Sequence, residues 1–195
     1  MINNTLIFLK NILNEYLRSK DGINLEHLGE DRVVFIDGDK LEPISFKLET
    51  ITLLLINLEE ENTLRQADPY IRTSNDGSTV HAKPEIRLNL YVLFIAKFKQ
   101  YESSLEYISD IIKFFQSNRL FTQQNSPALN EKIEKLYMEL ITLPFSEQNE
   151  IWNALRTTYH PSVLYKVKML VYKDEEILPT SEISRGAVSA TEKRK

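Results

Sequence analysis

The sequence predicts an α+β domain, a mixed and mainly antiparallel sheet flanked by helices, and three stretches carry that prediction. Ile86 to Phe98, IRLNLYVLFIAKF, places Ile86, Leu88, Leu90, Val92, Phe94, Ala96 and Phe98 at alternate positions, the period of a strand with one buried face. From Tyr91 to Ile95 the intervening positions are apolar as well, so the middle of this strand is expected to be covered on both faces, as an interior strand is. Tyr101 to Phe115 repeats apolar residues at three and four, the helical period, and Val163 to Tyr172 returns to strict alternation. At strand rise the central segment spans roughly 43 Å, longer than most globular strands. Part of it is therefore expected to project beyond its sheet or to pair with another chain.

Taken in order, Thr5 to Arg18 sets Leu6, Leu9, Leu13, Tyr16 and Leu17 on one helical face, with Asn3 or Asn4 as the expected cap and Asp21-Gly22 as the stop. Arg32 to Asp37 is a short strand around Val33, Val34, Phe35 and Ile36, turned by Gly38-Asp39. Ile44 to Leu48 alternates. Ile51 to Leu58 is an apolar run that stops at Glu59-Glu60-Glu61, a buried strand emerging into solvent at an acidic end. Asn62 to Pro84 has no sustained period, and a connection of that length is usually mobile or functional. Leu53–Leu58 and the central strand are expected to pair as a long antiparallel hairpin with that connection at its tip.

The second helix is expected to turn Tyr101, Leu105, Ile108, Ile112 and Phe115 toward the sheet, with Ser103 or Ser104 as cap. Phe121 to Asn130 reads as a loop, Lys135 to Leu143 as a strand with Leu136, Met138 and Leu140 on one face, and SEQNEIWNAL as a short helix capped by Ser146. Trp152 falls on the apolar side of that helix, a core anchor. The layout gives one domain over residues 1–173. Residues 174–195, with few large apolar side chains and a basic end, form a tail expected to be disordered or ordered only by a partner.

Composition narrows the function classes. The 195 residues hold 42% apolar and 27% charged positions, ordinary for a soluble globular protein. A net charge of -4, with no basic block before Lys193-Arg194-Lys195, gives no basis for nucleic-acid binding. The absence of cysteine excludes disulfides, thiolate nucleophiles and Cys-ligated zinc. The N-terminus lacks a basic leader and a cleavage site, and no apolar run is long enough to span a bilayer, so cytoplasmic synthesis without membrane insertion is the expectation.

Reactive constellations are missing too. His27, His81 and His160 lie far apart, with no second ligand at helical spacing, so no metal is expected. The five glycines never cluster into a phosphate loop, so no nucleotide cofactor is expected. In an extended chain Glu59, Glu60 and Glu61 point alternately to opposite faces and do not converge on one proton. They read as a solvated strand end. By residue chemistry the chain is a scaffold and not an enzyme.

Three blocks carry a family resemblance: INLEEENTLRQ, LNLYVLFIAKFKQYESSLEYISDIIKFFQ and WNALRTTYHPSVLYKVKMLVY. They resemble the N-terminal domain family of the cap, or tail-terminator, proteins of bacterial contractile injection systems, particles such as the antifeeding prophage and the Photorhabdus virulence cassettes. The likeness runs from about Leu6 to Tyr172. It implies a terminator-like α+β fold assembled as a homo-hexameric ring that ends the inner tube, stabilises the outer sheath and becomes part of a phage-tail-like particle. It implies no catalytic residue. Asn57 to Glu61 with Leu64 and Arg65 match a recurrent family segment, as does Leu155 through Tyr165, and the partner-interface candidates are Glu59, Glu60, Glu61, Leu64, Arg65, Tyr70, Arg72 and Arg87. The alternative is a monomeric adaptor that captures an extended peptide by β-augmentation on the free edge of the hairpin.

Overall fold

A computed structural model of the chain describes residues 1–21, 31–36, 44–61, 71–73, 79–81 and 86–171. The elements run α1 (Ile2–Asp21), β1 (Val33–Val34), β2 (Thr50–Glu60), β3 (Ile71–Thr73), β4 (Thr79–His81), β5 (Ile86–Lys97), α2 (Tyr101–Ser117), β6 (Leu120–Thr122), β7 (Ile133–Ile141), α3 (Phe145–Ala154) and β8 (Ser162–Val171). They fall into two units, Met1–Leu64 with Glu85–Tyr172, and Arg65–Pro84 with Lys173–Lys195. In the second unit β3 and β4 pair antiparallel, Ile71 opposite His81, so the connection read as structureless holds a short ladder.

The first unit is built on a six-stranded sheet in the order β1-β2-β5-β8-β7-β6. Only β1 and β2 run parallel; every other pair is antiparallel, which bears out the mixed, mainly antiparallel class. The hairpin expectation holds: β2 and β5 pair from Thr50 opposite Lys97 to Glu60 opposite Leu88, with a bulge at Ile56. The expected overhang does not occur. β8 pairs with β5 from Ile86 opposite Val171 to Ile95 opposite Ser162, and the three central strands have matched lengths of 11, 12 and 10 residues. A long strand needs a neighbouring chain only when its own neighbours are short.

Because side chains alternate across a strand, β5 feeds two separate cores. Leu90, Val92, Phe94 and Ala96 point to the layer formed by α1 (Phe8, Leu9, Leu13, Leu17) and α2 (Ile111, Phe115), and all are buried. Leu93 and Ile95 point the other way, against Phe46, Leu164 and Trp152 of α3. Each such fully buried aliphatic or aromatic side chain contributes about 1.5–3 kcal/mol of transfer free energy. The doubly covered middle of the strand is thus what its sequence predicts.

Two polar contacts tie α1 into this frame. The buried Asn14 side chain donates from Nδ2 to the Val33 carbonyl at 2.9 Å and accepts the Val33 N–H on Oδ1 at 2.8 Å. It acts as a surrogate strand and seals the outer edge of β1, where unpaired backbone groups would otherwise invite another chain. At the other end, Lys20 of α1 meets the buried Asp110 of α2, and this hydrogen bond raises the lysine pKa.

Several local expectations are corrected. α1 begins at Ile2, so Asn3 and Asn4 lie inside its first turn. α2 and α3 start after Gln100 and Pro144 without a side-chain cap bond, so Ser103, Ser104 and Ser146 are helical residues. α2 buries Ser104, Asp110, Ile111 and Phe115 and leaves Tyr101 and Leu105 exposed, because α1 as well as the sheet packs against it. Ile44 to Leu48 forms only an isolated bridge at Ile44, since the chain turns at Leu48 into Glu49, whose φ of 60° breaks extended geometry. Leu120 to Thr122 is a short strand and not the loop expected from Phe121, and Leu140 at the end of β7 is exposed. The expectations for Gly22, Gly38-Asp39 and the tail lie outside the described residues.

Candidate functional site

The face of β5 that carries Leu93 and Ile95 is apolar only over half its length. Toward the N-terminal end of the strand the same face presents Asn89 and Tyr91, and the register sets Glu59 and Lys168 opposite Asn89, and Lys166 opposite Tyr91. On the far side β7 places Tyr137 opposite Lys168 and Glu139 opposite Lys166. Four strands therefore lay out one polar patch, continuous with the apolar strip under α3.

Its side chains are interlocked. The Tyr91 hydroxyl donates to Glu59 Oε2 at 2.8 Å, and the Asn89 amide donates to Glu61 Oε2 at 3.0 Å. Lys166 Nζ lies 4.0 Å from Glu59 Oε2 and 5.4 Å from the centre of the Tyr91 ring. Lys168 pairs with Glu139 at 2.7 Å and sits 5.8 Å from the Tyr137 ring centre. The Glu139 contact raises the Lys168 pKa against the opposing effect of desolvation, and Glu61 adds to the rise. Lys168 and Glu139 are both close to half exposed, so each pair contributes little to stability on its own. The network holds charges in fixed positions on an open surface.

At the end of the patch, Glu61, Arg87, Asn89, Lys135, Tyr137 and Lys168 line an open depression. The Glu61 N–H donates to the Arg87 carbonyl at 2.9 Å, which fixes the two residues side by side as β2 leaves the sheet.

Of the sequence candidates, Glu59 and Glu60 are exposed on β2, and Glu59 and Glu61 turn to the patch while Glu60 alternates away, as strand geometry requires. Arg87 stands on β5 beside Glu61. Arg72 belongs to β3, of which the backbone pairing is described. Leu64, Arg65 and Tyr70 lie outside the described residues. Sequence reasoning missed Asn89, Tyr91, Lys166 and Lys168. The signal was present in β8, where Lys166 and Lys168 interrupt the otherwise apolar face of Leu164 and Leu170.

The side chains of the patch are held by hydrogen bonds and ion pairs to one another. Glu59 and Glu61 are engaged as hydrogen-bond acceptors, and among the described residues no three His, Cys, Asp or Glu side chains gather as a metal site. Nor is any described helix long and apolar enough to cross a membrane.

Comparison with known proteins points to one group. The sequence model of the family described as the Pvc16 N-terminal domain matches residues 6–185. Among solved structures, the cryo-EM structure of a PVC sheath/tube terminator, from an extracellular contractile injection system in the extended state, is similar with a TM-score of 0.56 at 15% identity. The match covers 100% of this chain and 64% of that one. The anti-feeding prophage cap, an AFP tube-terminating cap, matches with a TM-score of 0.42 at 14% identity, over 70% of this chain and 48% of that one. The first likeness supports the terminator-type α+β fold. No curated protein sequence matches the chain.

Proposed function

We propose, since this chain belongs to the Pvc16 N-terminal domain family, that it is a structural, non-enzymatic cap of a contractile phage-tail-like particle. It forms a ring of copies of itself that ends the inner tube and outer sheath and stabilises the extended sheath. The observation that carries this reading is the family match across residues 6–185, which takes in every strand of the sheet. The solved protein of similar fold is described as a sheath/tube terminator. The chain spans 64% of that protein's length, so the partners are carried over as part of the proposal.

The patch supplies a surface suited to the role. Fixed, interspersed charges on a rigid sheet set orientation and register with a partner more than they add affinity. The partner-facing residues in this proposal are Glu59, Glu60, Glu61 and Arg87, with Leu64, Arg65, Tyr70 and Arg72 on the following segment. A ring brings unlike surfaces together head to tail, and six copies is the proposed closure. The cap is made in the cytoplasm and then built into the particle. No metal or cofactor takes part.

Native mass spectrometry of the chain alone and mixed with tube and sheath proteins tests the reading. A closed ring that retains tube or sheath protein is the expected result. A strict monomer at all concentrations, with neither protein bound, would contradict it and would favour the adaptor that uses the free edge of the hairpin.

A further inference from the structure

α3 is attached to the sheet through one buried residue, Trp152, with Ile151 and Leu155 only partly covered. The Trp152 ring rests in an aromatic seat: the Phe46 centroid lies at 6.4 Å, the Tyr159 centroid at 5.4 Å and the His160 centroid at 6.1 Å. His160 also meets Phe46 edge to face at 5.8 Å, so its imidazole packs against both Trp152 and Phe46. Its position is fixed from behind, because the Ala96 N–H donates to the Pro161 carbonyl at 2.9 Å and pins the following residue to the end of β5. Among the described residues the charge acting on the ring is Lys97 of β5, whose ammonium donates to the Phe46 carbonyl at 3.1 Å. The carboxylates of α3, Glu147 and Glu150, are exposed, and the Tyr159 phenol is the remaining titratable group of the cluster.

We propose that α3 is a pH-gated flap: protonation of His160 loosens Trp152 from its seat and releases α3 from β5 and β8, uncovering Leu93, Ile95 and Leu164. Neutral imidazole is one wall of the seat. Imidazolium at the same place must lose part of its hydration and stand beside Lys97. Burial, followed by Lys97, lowers the pKa of His160 from the ordinary 6.5, in accord with that geometry. A histidine whose folded pKa is lowered stabilises the closed form fully above the unfolded value of 6.5, and that stability is lost as the pH falls below it. The uncovered strip is continuous with the polar patch, so the open flap enlarges the same sheet face.

Trp152 is the only tryptophan of the chain, so its fluorescence reports this seat alone. Acrylamide quenching and emission maximum should be followed on the whole chain from about pH 7.5 to about pH 5, where histidine titrates and ordinary carboxylates stay ionised. The expected result is a red shift and a roughly twofold or greater rise in quenching on acidification, with far-UV circular dichroism unchanged and the effect absent in His160→Gln. Should His160→Gln fail to fold, His160→Phe keeps an aromatic wall without a proton site and is expected to be equally pH-insensitive. Wild-type quenching that stays flat through the His160 titration, followed by NMR, would overturn the proposal. So would a His160 variant that opens over the same pH range.

Discussion

Single residues decide how the sheet ends and how its helices stop. Asn14 satisfies both outward-facing backbone groups of Val33 from a site that is 3% exposed. Asn14→Leu keeps the branched heavy-atom shape but strands a buried N–H and C=O, so it is expected to cost about 2–4 kcal/mol in urea unfolding, more than a single lost hydrogen bond between exposed groups. Arg156 carries the opposite signature. It follows the C-cap of α3 with a φ of 52°, the left-handed conformation in which glycine has no Cβ penalty. Arg156→Gly is expected to raise stability by about 0.5–1 kcal/mol, read as an upward shift of the thermal midpoint. Neither role was legible in the sequence: a buried asparagine among leucines looks like any polar position of an amphipathic helix, and an arginine announces nothing about φ. The acidic run Glu59-Glu60-Glu61 was legible, because alternation alone dictates which two of the three share a face.

At the scale of elements, period is what the sequence transmits well. α1, α2, β5 and β8 were read from spacing, because apolar positions on a buried face must repeat at 2.0 or 3.6 residues, and β2 from its nearly continuous apolar run. Boundaries and caps were not, because Asn and Ser occur inside α1 and α2 as readily as before them. The length of β5 was read but its overhang was not borne out, because whether β5 overhangs depends on β2 and β8, which the strand itself does not encode. β5 remains the element on which the unit depends. Leu90 is fully buried between Leu58 of β2 and Val167 of β8, and Leu90→Ala is expected to cost about 2–5 kcal/mol by denaturant titration. Leu90→Asp, which adds an unpaired buried charge, is expected to leave the chain unfolded by circular dichroism. By contrast Lys166→Met, on the open patch, is expected to change stability by less than about 1 kcal/mol. The polar patch was half legible: the hairpin end showed in the acidic run, whereas its convergence with Lys166 and Lys168 depends on β8 returning beside β5, a long-range pairing that local pattern does not specify.

For the whole molecule, alkaline stability offers a test of how the large core is sealed. Tyr165 of β8 packs edge to face on Phe94 at 6.0 Å and lies 4.9 Å from the centroid of Phe115 in α2, and burial pushes its pKa from 10.0 up to about 12. An acid whose folded pKa is raised stabilises the fold below its unfolded value and loses that contribution as the pH rises through the folded one. Stability is therefore expected to decline between about pH 10 and 12 in alkaline unfolding, and Tyr165→Phe should flatten the decline. The assembly is a further level again. The sheet is covered by α1 and α2 on one face, while on the other α3 covers the apolar half and leaves the polar half open. The proposal that it caps a contractile particle is tested most directly by electron microscopy of particles assembled with and without this chain. Uniform, closed ends are expected in its presence, and sheaths and tubes of uncontrolled length with open ends in its absence. Uniform, capped particles formed without it would rule out the cap role.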